Sequence, residues 1–294
     1  MTVTGRVLYG PAGRPLARTW AVLHQVSSGG DGRPIDSTRT DARGTYALTI
    51  RRPDSSAIYV VSSWRAGIAY FSEPVPRGAG ARVSLRPLYV YDSSSTGAAV
   101  RLRRRLVTVA KAKGDGARDV LELLEIENPD STTRVAPDTV RPTWAGVIPA
   151  AAIQFQAGQG DVSPQAMALR GDSVAVYGPI PPRERKQVSY TYVLPATVRR
   201  LTLPIDQITE ELDLLLEDTT AVVTAAKLDS LGIDSIEGRR FARYRAVTLP
   251  RGAPFVIAFS ERGLRPETLV PWVVAFAGLV LAVAFVVALR RKPR

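Results

Sequence analysis

The chain has 294 residues, with 39 lysines and arginines against 27 acids, one histidine and no cysteine. The missing cysteines exclude disulfides, thiolate-held zinc, iron–sulfur clusters and thioether-linked haem, and the lone His24 excludes sites built on a histidine pair. Glycine and proline are plentiful and long helical patterns are scarce before residue 265, so most of the chain reads as short strands joined by turns, enough for two domains.

Residues 1–92 come first. Val3–Leu8 reads as a strand ended by Gly10-Pro11-Ala12-Gly13, followed by Trp20–Gln25, a Gly29-Gly30-Asp31-Gly32 turn and Pro34–Thr40. Asp41-Ala42-Arg43-Gly44 turns into Thr45–Ile50, where Tyr46, Leu48 and Ile50 share one face, the period of a half-buried strand. Ile58–Ser62, Ile68–Phe71 and Arg82–Tyr91 complete about seven strands. His24 sits in an apolar strand and fits a satisfied structural histidine. Trp64, Tyr70, Tyr89 and Tyr91 could form a sugar-binding aromatic platform, with Trp64, Tyr70 and Tyr91 its chief candidates, although such rings also fill or rim small sandwich cores.

Gly5-Arg6-Val7, Arg14-Pro15-Leu16, Val22 and Asp41-x-x-Gly44-x-Tyr46-x-Leu48 resemble the carboxypeptidase regulatory-like domain, a transthyretin-like β-sandwich. Tyr59-Val60-Val61 and Gly67-Ile68-Ala69-Tyr70-Phe71 are similar to its last strands. The resemblance covers about a third of the chain. Its most specific element has a physical basis: Asp41 folds its carboxylate onto the turn, Gly44 permits positive φ, and the aromatic Tyr46 enters the core. The resemblance implies a binding or spacer module with no catalytic residues.

Asp92–Gly97 reads as a polar linker. Residues 98–262 carry strands at Leu102–Ala110, Val120–Glu127, Trp144–Ile148, Ala151–Gln156, Ser173–Gly178, Gln187–Leu194, Arg200–Leu203, Leu212–Glu217, Ala221–Leu228, Arg240–Leu249 and Phe255–Ser260. This spacing predicts an immunoglobulin-like β-sandwich. Arg101, Arg103 and Arg105 alternate on one strand face, and Arg239, Arg243 and Arg245 on a later one. Together they suggest a basic ridge for anionic lipid or an acidic partner, set against solvent-facing arginines that protect edge strands. Ile205–Asp218 holds six acids and no base; Ile208, Leu212 and Leu215 are helix-spaced while Leu212–Leu216 also reads as a strand, the favoured reading, and its acids are expected to form a solvated face because the spacing lacks the logic of a calcium loop. No nucleophile elbow, phosphate loop or nucleic-acid reader appears, so no catalysis, cofactor, metal, nucleic acid or small-molecule substrate is expected.

Leu269–Leu289 runs 21 residues without a charge, about 31 Å as a helix and close to the hydrocarbon thickness of a bilayer. Pro271 falls in the first turn, Trp272 at headgroup depth, and Gly278-x-x-x-Ala282 offers a small-residue packing face. Arg290, Arg291, Lys292 and Arg294 follow, while Glu261–Glu267 balances two bases against two acids. Positive-inside reasoning predicts a single-pass protein of a bacterial cytoplasmic membrane, its β domains on the periplasmic side and its tail inside. The opening Met1-Thr-Val-Thr-Gly5 lacks a basic, apolar leader and pulls toward the reverse orientation. The combined expectation is a non-catalytic accessory or scaffolding subunit of a larger membrane assembly, with a glycan- or cell-wall-binding surface protein as the alternative.

Overall fold

Inward and outward residues alternate along most of the chain, and it folds accordingly into strands. A computed structural model describes residues 1–27 and 32–259, which are all-β apart from one 3-10 turn, Pro164–Ala166. Among the described residues no helix is long and apolar enough to cross a membrane. Leu269–Leu289, with Pro271, Trp272, Gly278, Ala282, Arg290, Arg291 and Lys292, lies outside them.

The first unit contains β1 (Thr2–Tyr9), β2 (Arg14–Pro15), β3 (Trp20–Val26), β4 (Gly32–Arg39), β5 (Thr45–Thr49), β6 (Ile58–Arg65), β7 (Ile68–Phe71), β8 (Arg82–Ser84) and β9 (Leu88–Val90). One sheet is built on β1, which pairs antiparallel with β2 and β5 and parallel with β8 and β9. The other has the order β4-β3-β6-β7. Val3, Val7, Tyr46, Leu48 and Val90 from the first sheet pack against Ala21, Leu23, Tyr59, Val61 and Tyr70 from the second. The expected strand Arg82–Tyr91 is split in two because Pro87, which has no N–H to donate, falls between β8 and β9.

The Asp41 turn has its expected geometry. The Asp41 carboxylate accepts the N–H groups of Arg43 and Thr45, each at 2.8 Å. Gly44 has φ +72°, and a Cβ there would stand 2.5 Å from the Val7 carbonyl oxygen. Tyr46 is buried, and burial pushes its hydroxyl pKa up to about 12.

The second unit contains β11 (Arg101–Val109), β12 (Arg118–Glu127), β13 (Thr133–Arg134), β14 (Trp144–Val147), β15 (Ile153–Ala157), β16 (Met167–Arg170), β17 (Ser173–Val176), β18 (Arg185–Leu194), β19 (Arg200–Thr202), β20 (Thr209–Leu216), β21 (Val222–Ala225), β22 (Leu228–Ile236), β23 (Arg239–Leu249) and β24 (Phe255–Ala258). A seven-stranded sheet, β15-β18-β12-β11-β20-β23-β22, contributes one wall of its core. The three-stranded sheets β14-β17-β16 and β19-β24-β21 contribute the rest. This is wider than the four-plus-three layout of an immunoglobulin constant domain. Within Ile205–Asp218 the residues Thr209–Leu216 form strand β20, and Leu212, Leu214 and Leu216 all enter the core. The expected strand Ala221–Leu228 ends at Ala225, and the chain turns into β22, which has no counterpart among the expected strands.

Asp92–Gly97 is not a free linker. Within it β10 (Ser93–Ser94) pairs with β13, and the Asp92 carboxylate accepts the Tyr9 hydroxyl and, at 2.8 Å, Arg65 Nε. Tyr70 Oη bonds the Tyr91 carbonyl at 3.0 Å and Thr133 Oγ1 at 2.7 Å, tying the two units together.

Candidate functional site

The units meet along an open cleft of about 670 Å³. Strands β7 and β9 place Phe71 and Tyr89 on one wall, while Val162, Pro179, Pro181 and Pro182 line the other. Tyr70 and Tyr91 form a buried floor, their rings 6.0 Å apart and tilted. Burial raises both hydroxyl pKa values. The rim charges are mostly paired: Arg86 with Glu73 at 2.6 Å and Lys186 with Glu184 at 3.0 Å. The Asp161 carboxylate accepts the Gln187 N–H at 2.9 Å. Arg183 is exposed and held at φ +61°, its N–H donated to the Asn128 carbonyl at 3.1 Å. The volume is that of a ligand pocket. The aromatic and proline walls can hold a flat or extended apolar group, with rim charges to orient it.

A second surface adjoins the cleft through Phe71. The side of the β4-β3-β6-β7 sheet turned away from the core carries Trp20 (49 % exposed), Trp64 (57 %), Phe71 (58 %) and Ile58 (41 %). His24 lies among them. Its Nε2 hydrogen-bonds Ser62 Oγ at 2.8 Å, its ring is 6.2 Å from Phe71, and burial lowers its pKa. The expected platform of Trp64, Tyr70 and Tyr91 does not assemble. Trp64 points outward, whereas Tyr70 and Tyr91 are core residues on the other side of the sheet.

The arginine ridge does not assemble either. A bulge between Leu102 and Arg104 breaks the alternation of β11, so Arg105 enters the core beside Val107 and Val109. There its guanidinium forms a fork on Glu122, with Nε to Oε2 at 2.8 Å and Nη2 to Oε1 at 3.1 Å, and Nη1 donates to the Pro204 carbonyl at 2.7 Å. Tyr190 and Tyr192 donate to the same carboxylate at 3.1 and 2.8 Å. Burial alone would lower the Arg105 pKa, but the Glu122 charge overrides it and the net shift is upward. Burial first, and the Glu122 charge second, hold both tyrosine hydroxyls well above their ordinary value.

On the outward side of the same sheet Arg104 and Arg245 converge on Asp213, at 2.6 and 2.8 Å, and both approach Glu211. Arg103 pairs with Glu127 and Glu210, Arg239 with Glu217, and Arg243 with Asp234. Arg101 is exposed at the start of β11. The carboxylates of Ile205–Asp218 thus lie largely against arginine, and the described residues contain no group of three or more metal-ligating side chains.

Trp20, Phe71, Arg183 and Glu122 were not singled out by the sequence. Only Glu122 carried a signal, an acid at a core-facing position between Val120 and Leu124.

No protein-family model and no curated protein matches the chain. Among solved structures, a 9R-lipoxygenase from Cyanothece PCC8801 is similar to it at 15 % identity and a TM-score of 0.22. That match covers 31 % of this chain and 17 % of the lipoxygenase, a likeness too slight to bear on fold or activity.

Proposed function

We propose that this is a non-catalytic accessory or scaffolding subunit, held at the periplasmic face of a cytoplasmic membrane by Leu269–Leu289, that contacts other subunits of a membrane assembly. The first unit is read as a carboxypeptidase regulatory-like sandwich and the second as a broadened immunoglobulin-like one. One observation carries the functional reading. The described acids and arginines that could do chemistry are largely engaged with each other, as in Arg105–Glu122 and Asp213–Arg245, while the cleft between the units keeps an open aromatic and apolar lining that includes Tyr89, Val162 and Pro179. Exposed aromatic and apolar patches of this kind mark contact surfaces.

Extraction in mild detergent, followed by native gel electrophoresis and mass spectrometry of the band, tests it. A stoichiometric set of co-migrating membrane proteins supports the subunit reading. A monomer that instead binds cell-wall polysaccharide contradicts it.

A further inference from the structure

We propose that the outward side of the β4-β3-β6-β7 sheet rests on an anionic lipid surface, a reading that builds on the membrane anchor proposed above. Four large apolar side chains, Trp20, Trp64, Phe71 and Ile58, stand exposed on this one side. The pairing Val22↔Ser62, continued two residues further, sets Trp20 opposite Trp64, and Phe71 lies opposite Ser62. The three aromatic residues therefore share one side of the sheet on the neighbouring strands β3, β6 and β7.

The chemistry of the strip favours lipid over sugar. A sugar site needs polar groups beside its rings to hold hydroxyls. The polar side chains at the centre of this strip, His24 and Ser62, are bonded to each other. Tryptophan and phenylalanine suit the boundary between headgroups and acyl chains. The charge is complementary as well. Residues 1–92 contain twelve arginines, no lysine and six acids, a formal excess of six positive charges. Arg39 sits with its guanidinium carbon 4.9 Å from the centre of the Trp20 ring, a cation beside the aromatic strip where a lipid phosphate would lie. Nine residues separate Phe259 from Leu269, enough for roughly 30 Å of reach when extended. The proposed anchor would thus hold the second unit, from which it leaves, within that distance of a bilayer.

The test uses the full chain reconstituted into vesicles of phosphatidylglycerol and phosphatidylcholine with brominated acyl chains, which quench only tryptophans within the bilayer boundary. A Trp272→Phe chain keeps Trp20 and Trp64. A Trp20→Phe/Trp64→Phe chain keeps Trp272. Both retain the buried Trp144 as a common background. The proposal expects the Trp272→Phe chain to shift its emission to the blue and lose intensity, more strongly as the phosphatidylglycerol content rises. Quenching of the Trp20→Phe/Trp64→Phe chain alone would mean that the anchor is inserted and the face is free, which overturns the proposal and leaves the anchor standing. Absence of quenching in both chains removes the anchor and the proposal together. A blue shift produced by a polysaccharide or a co-purified protein without lipid, with no bromine quenching, assigns the face to that partner and likewise overturns it.

Discussion

The two units treat the outer sides of their sheets in opposite ways. The second unit crosses β12, β11, β20 and β23 with ion pairs, Arg103 to Glu127, Arg104 and Arg245 to Asp213, so that its charges satisfy one another. It also carries a charge pair in its core, Arg105–Glu122, with each guanidinium nitrogen bonded to a carboxylate or carbonyl oxygen. The first unit is held by aromatic and aliphatic packing around Tyr46, Tyr59 and Tyr70, and leaves Trp20, Trp64 and Phe71 open. Ion pairs thus cover the middle of the second unit's sheet, whose exposed apolar side chains, such as Ile233 and Val247, are aliphatic, whereas the first unit exposes aromatic rings.

The largest effect should come from breaking the second unit's inner pair. Glu122→Ala leaves a buried guanidinium and two tyrosine hydroxyls without their acceptor, and should cost about 3–5 kcal/mol of unfolding free energy. The Arg105→Met/Glu122→Leu double variant should recover much of that in a denaturant titration, because no buried charge remains. The first unit's counterpart is its turn. Gly44→Ala combines positive φ with a clash against the Val7 carbonyl and should cost about 2–3 kcal/mol. Gly67→Ala, with similar φ but open space around it, should cost about 1 kcal/mol, and thermal melting of the two variants separates strain from crowding. Tyr70→Phe removes the bond to Thr133 across the junction and should cost about 1 kcal/mol. A larger loss would mean that the units depend on each other more than their separate cores suggest.

The outer pairs are worth less. Burial pushes the Asp213 pKa up, but hydrogen bonds from Arg245 and Arg104 outweigh it and the net shift is downward. A carboxylate with a lowered folded pKa stabilises above its unfolded value, near 3.8, and that contribution fades as pH falls below it toward the folded pKa. Asp213→Asn should therefore reduce stability at pH 7 by about 1 kcal/mol, given its half-exposed partners, and flatten the acid limb of a stability–pH curve. Smallest of all is Trp64→Ser, which in detergent should change stability by no more than about 0.5 kcal/mol. A large loss there would show that Trp64 supports the fold rather than a contact.

Much of the fold was legible because burial follows alternation. The expected strands Thr45–Ile50, Val120–Glu127 and Gln187–Leu194 match the observed ones to within two residues at each end. The Asp41–Gly44–Tyr46 turn was readable because each residue type there answers a local backbone demand. Strand β22 escaped notice because it is a sheet edge exposed along nearly its whole length, with a bulge between Ser230 and Gly232, so it has no inward side to alternate with. Arg105 was misread for a related reason. One extra residue in β11 reverses which arginines face the core, and a bulge has no marker in composition. The exposed aromatic face is half legible in the sequence: Trp64 stands out there, but Trp20 joins it only through the pairing of strands far apart in sequence.

Hydroxyl-radical footprinting of the chain in native membranes and after detergent extraction tests the contrast between the two units most directly. Trp20, Trp64 and Phe71 should be modified several-fold less in the membrane, while Val247, exposed on the outward side of the second unit's sheet, should be modified equally in both states. Equal modification of Trp20, Trp64 and Phe71 in both states would contradict the assignment of that face as the contact surface.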